Sequence, residues 1–364
     1  MSSIQSSIQS AFRLSACAVL LAAIVVTLGA YTRLADAGLG CPDWPGCYGF
    51  LTVPQSEVHI VIAEARFPET PVEAHKGWAE MVHRYVAGIL GVLIAALACM
   101  AIRQRRTPGY PLGLSLGLLL LVVVQAAFGM WTVTLKLWPQ VVTLHLLGGF
   151  ATLSLLLVLT LRLRHLIRQP ADAPESLLQL AGAPRLLMWL ALMLVIGQIA
   201  LGGWTSANYA AYACPDFPTC HGEWWPEQMA LDKGLNITQH VGPNYLGGQL
   251  EGPARVGIHM MHRLGALTVT LVLSLLCVAL WRRQLRGEAT AVLAALALQL
   301  AIGIANVFWQ FPLLLALAHN SGAALLLLVL CALLTQHYLA RSLSHSRSRN
   351  KELTYENHQT CPAG

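Results

Sequence analysis

Charged side chains are scarce in this sequence. Only 11% of its 364 residues are Asp, Glu, Lys or Arg, whereas globular domains average about 25%. Hydrophobic residues make up 56%, above the roughly 45–50% that is typical of globular domains. So little charge cannot cover a water-exposed surface. The composition therefore excludes a soluble enzyme, a disordered linker and a secreted disulfide scaffold as descriptions of the whole chain.

The apolar residues are collected in blocks with almost no charge inside them. A bilayer-spanning helix needs about 20 such residues. The sequence predicts eight of these helices, over residues 14–31, 78–102, 112–135, 141–161, 186–204, 256–280, 289–309 and 312–339. The predicted fold class is an all-α membrane protein with eight transmembrane helices.

The net charge of +6 indicates orientation rather than a nucleic-acid partner. Basic residues follow every even-numbered block: Arg103, Arg105 and Arg106; Arg162, Arg164 and Arg168; Arg282, Arg283 and Arg286; Arg341, Arg347, Arg349 and Lys351. Because Lys and Arg collect on the cytoplasmic side, both termini are predicted to be cytoplasmic (N-in/C-in). The two long loops, residues 32–77 and 205–253, contain more acid than base and belong outside.

The chain contains an internal repeat. Residues 29–49 (GAYTRLADAGLGCPDWPGCYG) align with residues 202–222 (GGWTSANYAAYACPDFPTCHG) at an offset of 173. Downstream, His83-Arg84 aligns with His262-Arg263 at 179, and Gln125, Gly129 and His145 align with Gln299, Gly303 and His319 at 174. The sequence thus predicts two pseudo-symmetric four-helix bundles, 1–170 and 184–340, joined by a polar linker and followed by a polar tail, 341–364. An even number of helices per half makes the repeat parallel.

The first apolar block has an alternative interpretation as a signal peptide. It is followed by Ala35-Asp36-Ala37, which is similar to a signal-peptidase site. The repeat argues against cleavage, because this block aligns with an internal helix that cannot be a signal peptide. We expect the block to be retained as a span.

Four histidines lie inside apolar blocks at matched positions: His83 and His145, then His262 and His319. One intramembrane histidine is as compatible with a hydrogen-bonded packing role as with a ligand, but four in repeat register favour ligands. Facing histidines from two helices of a bundle can hold the two axial positions of a heme iron. Zinc is disfavoured because two ligands leave its tetrahedral site incomplete. Nearby glycines would give weak support by making room for a macrocycle: Gly88, Gly91, Gly148 and Gly149.

All four histidines lie within about two helical turns of the predicted outer end of their helices. This places both heme sites at one depth. A cytochrome that conducts electrons across the bilayer ordinarily has hemes at two depths. Equal depth favours electron or group transfer between the halves, or chemistry that faces the outer side.

The halves differ three residues before His83 and His262, where Glu80 stands in the first half and His259 in the second. Spacing i,i+3 puts Glu80 on the same helix face as His83, so it could reach the heme edge as a general acid or base. The alternative is a capping or interfacial carboxylate near the helix start, where the helix dipole favours negative charge. His259 is either a hydrogen-bond partner near its heme or inert. Arg84 and Arg263 would meet heme propionates or anchor their helices at the interface.

Four of the nine cysteines form two equally spaced pairs in the outer loops, Cys41 with Cys47 and Cys214 with Cys220. In an oxidising compartment each pair should form a disulfide. A structural role is favoured for each pair, and a redox-active bridge remains an alternative. The other five, Cys17, Cys99, Cys277, Cys331 and Cys361, are read as packing or incidental residues.

Taken together, these residues resemble the heme A synthases of aerobic respiratory chains. The resemblance covers nearly the whole chain and is carried by Glu80-Met-Val-His83-Arg84, His145, the CPDWPGC and CPDFPTCHGEWWP loops, His262-Arg263 and His319. It implies an oxidoreductase of the bacterial inner membrane that converts the C8 methyl of heme O to the formyl group of heme A for cytochrome oxidase, with its cysteine loops periplasmic.

The resemblance also implies roles for the site residues. His83 and His145 would flank the substrate heme O, Glu80 would be the essential carboxylate, and His262 with His319 would ligate a permanent heme b. The Cys41/Cys47 pair would aid catalysis or heme transfer. A heme O synthase and an electron donor are the expected protein partners, and a homo-oligomer is compatible with the sequence.

Two other functions are open on the residues alone. A non-catalytic diheme b-type cytochrome would use the same four histidines, although the Glu80/His259 difference and the equal heme depth favour the enzyme. A membrane thiol oxidoreductase would use the loop cysteines but would leave the intramembrane histidines without a role.

Overall fold

The computed structural model of the chain describes residues 3–168, 180, 182–238 and 242–359. Within these residues the regular structure is helical and contains no strand beyond two isolated β-bridges. The helices are α1 (Ser3–Leu34), α2 (Glu57–Arg66), α3 (Ala74–Arg103), α4 (Leu112–Thr134), α5 (Pro139–Ile167), α6 (Ala183–Ala207), α7 (Leu231–Gly234), α8 (Gly252–Arg282), α9 (Arg286–Phe308) and α10 (Leu313–Gln359). Eight of them, all but α2 and α7, are long and apolar enough to cross a membrane. The predicted all-α class with eight spans is confirmed.

Most of the spanning helices extend beyond the predicted apolar blocks. The 30 residues of α3 rise about 45 Å, whereas the hydrocarbon core of a bilayer is about 30 Å thick. The ends therefore reach the headgroup region, where polar side chains are tolerated and hydropathy no longer marks the helix. Likewise α10 continues into the predicted polar tail. Most of the linker between the halves, and Cys361, lie outside the described residues.

The spanning helices pack in the same cyclic order in each half. In the first half α1 contacts α3 and α5, and α4 closes the ring between α3 and α5. In the second half α6 contacts α8 and α10, and α9 closes the ring between α8 and α10. The halves meet where α5 packs on α6 and α10, and where α1 packs on α10. Leu156 and Leu163 of α5 are accordingly fully buried in a core that both halves share.

Both disulfides lie at one end of the bundle, which we call the disulfide end. They occupy the connections that follow α1 and α6. Polar contacts join the halves here: Arg33 donates to the Ser206 carbonyl, and the Tyr209 hydroxyl donates to the Asp36 carboxylate at 2.7 Å. The Arg33 guanidinium also lies 4.1 Å from the centre of the Tyr209 ring. Burial raises the pKa of this tyrosine, which favours the protonated hydroxyl as the donor.

Candidate functional site

The structure brings the four histidines together as two pairs. His262 of α8 and His319 of α10 face one another with ring centroids 6.4 Å apart and ring planes at 73°. His83 of α3 and His145 of α5 are close enough to interact electrostatically. Counted from the first residues of their helices, the four lie six to ten residues in, or about 9–15 Å by helical rise. This is up to a turn deeper than expected, because α3 and α8 begin before the apolar blocks.

Each histidine ring packs against a glycine of a neighbouring helix. A Cβ added to Gly29 of α1 would lie 2.9 Å from His83 Cε1, and one on Gly129 of α4 would lie 3.4 Å from His145 Cε1. The second half repeats this arrangement: the corresponding distances are 3.3 Å from Gly202 of α6 to His262 and 2.9 Å from Gly303 of α9 to His319. These glycines let the imidazole rings lie close to the neighbouring helix backbone.

The sequence analysis assigned no role to these four glycines. Their signal was present, because all four align in the repeat. Of the glycines expected beside the macrocycle, Gly88 and Gly91 face open space, since a Cβ on either would meet nothing within 4 Å, while Gly148 packs on Gln125 and Gly149 lies 3.8 Å from Val26. Their role beside a heme stays a prediction.

The donor set of each pair fits a heme iron better than a bare metal ion. Among the described residues, no three His, Cys, Asp or Glu side chains come together as a metal cluster. Two imidazoles supply the two axial ligands of a heme. Nitrogens each about 2 Å from one metal would put two ring centroids about 6 Å apart, close to the separation in the second half. In the described part of the chain, the Nδ1 atoms of His83, His145 and His319 are buried without a hydrogen bond.

Glu80 is buried on α3, with 4% of its surface exposed. Its carboxylate forms an ion pair with Arg84 one turn further on, and it accepts a hydrogen bond from the Cys41 backbone N–H at 3.0 Å. The helix begins at Ala74, with Glu73 at the N-cap. Glu80 therefore does not cap the helix, because it lies nearly two turns inside it; an interfacial carboxylate stays an alternative.

His259, at the matching position of α8, also contacts the loop of its own half. Its Nδ1 lies 3.1 Å from the Ala210 carbonyl oxygen, and its ring lies 6.3 Å from that of Phe311. It is as buried as Glu80, with 4% exposed. The two positions thus have the same structural task, but one brings a carboxylate and the other an imidazole.

Arg84 and Arg263 hold the disulfide loops. The Arg84 guanidinium donates to three backbone carbonyls of the first loop, those of Asp43, Pro45 and Gly46. Arg263 donates at 2.7 Å to the carbonyls of Asp216 and Thr219. Both arginines thus anchor the end of their helix to a loop rather than to lipid, and contact with heme propionates stays a prediction.

Both predicted disulfides are present, Cys41–Cys47 and Cys214–Cys220, and all four cysteines are fully buried. In each loop an aspartate accepts two backbone N–H groups beyond the bridge: Asp43 those of Tyr48 and Gly49, and Asp216 those of His221 and Gly222. Desolvation raises the pKa of Asp216, but the hydrogen bonds from Thr219, Gly222 and His221 outweigh it and lower the pKa to about 2.

An eight-helix membrane bundle with two intramembrane histidine pairs defines the class: a multi-pass helical membrane protein with donor sets suited to heme. The profile of the COX15-CtaA family, described as cytochrome oxidase assembly proteins, matches residues 12–331. The chain belongs to this family.

Three relatives share the name heme A synthase. The chain is 44% identical over 327 residues to that of Shewanella oneidensis, covering 90% of this chain and 95% of the relative. It is 30% identical over 340 residues to that of Paracoccus denitrificans, covering 85% and 83%. It is 28% identical over 333 residues to that of Rhizorhabdus wittichii, covering 86% and 89%.

Proposed function

We propose that this protein is a heme A synthase, which oxidises the C8 methyl of heme O to the formyl group of heme A for cytochrome oxidase. The observation that carries the proposal is the match to heme A synthases along nearly the whole chain, together with two histidine pairs in a helical membrane bundle. Methyl to formyl is a four-electron oxidation, achieved by two hydroxylations at one carbon and loss of water from the gem-diol.

We assign the substrate heme to the half that carries Glu80. His83 and His145 would flank heme O, and His262 with His319 would hold heme b, which supplies electron transfer when bound. Glu80 would offer a fixed negative charge to positive charge developing at the methyl carbon. Its ion pair with Arg84 and its hydrogen bond from Cys41 support this role, because both fix the position of the carboxylate.

We further propose that the two halves, 1–170 and 184–340, are a parallel repeat, with residues 341–364 as a cytoplasmic tail. The contacts of Arg33 with Ser206 and of Asp36 with Tyr209 support it, since each joins positions exactly one repeat offset of 173 apart. Residues that meet their own repeat equivalents lie on a two-fold axis. The protein would sit in a bacterial inner membrane, N-in and C-in, with the disulfide end periplasmic, taking heme O from a heme O synthase and exchanging electrons with a separate protein.

The test is pigment analysis in a bacterium that makes heme O but no heme A. Expression of the full chain should produce heme A, separated from heme O by reversed-phase chromatography. Unmodified heme in both halves under turnover conditions would instead identify a diheme cytochrome. A purified protein without Soret absorbance would favour the thiol oxidoreductase, for which the full burial of all four loop cysteines is unfavourable.

A further inference from the structure

One ligand candidate has a side-chain partner that its counterpart lacks. The Gln198 side chain of α6 reaches across to His262: its amide nitrogen lies 3.2 Å from the ring Nδ1 and 3.5 Å from Nε2. The same amide donates to the His262 backbone carbonyl at 2.8 Å. Gln198 therefore holds both the ring and the backbone of one histidine.

The matching position in the first half is Val25, at the repeat offset of 173. The equivalence also holds in space, because Gly29 and Gly202, four residues further along in each case, pack on His83 and His262 respectively. Valine has no donor to offer, and His83 Nδ1 is buried without a hydrogen bond among the described residues. The His83 ring is thus held by packing and by the Val25 backbone carbonyl, whereas the His262 ring is held by a side-chain amide.

A second position changes together with the first. A Cβ added to Gly265 of α8 would overlap the Gln198 side-chain oxygen, so the observed placement of the glutamine requires a glycine opposite it. The aligned residue of α3, at the offset of 179 set by the histidines, is Val86. The second half therefore has a Gln–Gly pair where the first half has a Val–Val pair.

We propose that the Gln198–Gly265 pair makes the heme of the second half resident, and that the Val25–Val86 pair keeps the heme of the first half exchangeable. This inference rests on the proposed function, in which one half retains heme b while the other takes up heme O and releases heme A. A partner that orients a metal ligand commonly contributes about 10- to 100-fold in affinity. Gln198 and Gly265 are positioning residues, since they act through His262.

The first experiment exchanges the pair in the full-length protein. The variant Gln198→Val/Gly265→Val is purified in detergent, and transfer of its heme b to excess apomyoglobin is followed at the Soret band. We expect the transfer to be about 10- to 100-fold faster than in the unmodified protein. Met193→Leu is the matched control, because Met193 lies on α6 with 61% of its surface exposed.

The reciprocal variant keeps the proposal testable if the first one does not fold. Val25→Gln/Val86→Gly should retain heme in the first half through washing that strips it from the unmodified protein.

The low-spin electron paramagnetic resonance signal of heme b should shift in Gln198→Val and stay constant in Met193→Leu. Unchanged retention in whichever variant folds overturns the proposal. Failure of the proposed function is distinguishable, because it shows as an unmodified protein that binds heme but forms no heme A.

Discussion

The two disulfide loops are built alike and attached differently. In both loops, the arginine that directly follows His83 or His262 donates to loop carbonyls, and an aspartate accepts two loop N–H groups. In the first loop, however, the arginine is also paired with buried Glu80, whereas in the second the same position is His259 bound to a carbonyl. The loop therefore forms with either a carboxylate or an imidazole at this position, so its architecture does not require the charge of Glu80.

The heme ligands show the opposite difference. The second half adds the Gln198 side chain beside His262, whereas the matching valine of the first half offers His83 its backbone carbonyl and no side-chain donor. The first half has its extra polar group, the Glu80 carboxylate, near the loop. The second half has its extra polar group, the Gln198 amide, beside a candidate heme ligand. This division fits the proposed function, in which one half binds heme O transiently and the other retains heme b.

The largest expected effect separates the two histidine pairs. His262→Ala removes one of two ligands, so purified protein should lose its stable heme b spectrum altogether. His83→Ala should keep that spectrum and lose heme O binding. Reduced-minus-oxidised spectra of both variants test the assignment, and a normal low-spin signal in His262→Ala would show that heme b lies elsewhere.

Glu80→Gln tests the asymmetry at the loop. It keeps the side-chain volume and removes the negative charge, so heme A formation should fall by about 100-fold or more while heme content stays nearly intact. Glu73→Gln is the control, since Glu73 is an exposed partner of Lys76. Chromatography of extracted hemes gives the readout. Full activity of Glu80→Gln would remove the carboxylate from the chemistry.

The glycines that face the rings predict a smaller effect. Gly303→Ala places a methyl group 2.9 Å from His319 Cε1, and such overpacking costs about 1–3 kcal/mol. Retention of heme b should drop roughly 10-fold, which corresponds to about 1.4 kcal/mol, in the lower half of that range. Gly91→Ala, whose methyl meets nothing within 4 Å, should leave it unchanged. Equal retention in the two variants would mean that the glycines do not set the ring position.

The smallest effect concerns the contact between the halves. Tyr209→Phe removes the hydrogen bond to Asp36 and should lower thermal stability by about 0.5–1.5 kcal/mol, with activity retained. Tyr212→Phe, in the same loop but 63% exposed, is its control. A thermal unfolding scan of both variants compares them. An effect of equal size in the control would exclude a specific contribution from the contact between the halves.

Much of the fold was predictable because the signals were local. Scarce charge within apolar blocks marked all eight spans, and equal cysteine spacing marked both disulfides. Hydropathy could not mark helix ends such as Ala74, because a helix continues into the interface after its apolar run stops. Glu80 was identified by its difference from His259, but its partner Cys41 is 39 residues away, and only the folded loop brings the two together.

Gln198 was missed although it left a signal. It is an amide inside an apolar block, and alignment of the halves places it against Val25. Its meaning depends on Gly265, 67 positions later, because the observed placement of the side chain requires a glycine opposite it. Pairs of this kind are invisible to periodicity, which reports one helix at a time.

The hydrogen bond from Tyr209 to Asp36 has a consequence for how the molecule could have arisen. Two identical four-helix subunits around a two-fold axis would present the same residue to itself, so an aspartate would meet an aspartate and repel it. A tyrosine meets that aspartate here because the two halves differ in sequence at this position. We infer that the contact depends on divergence of the halves, and the proposed assignment of heme O to one half and heme b to the other depends on divergence in the same way.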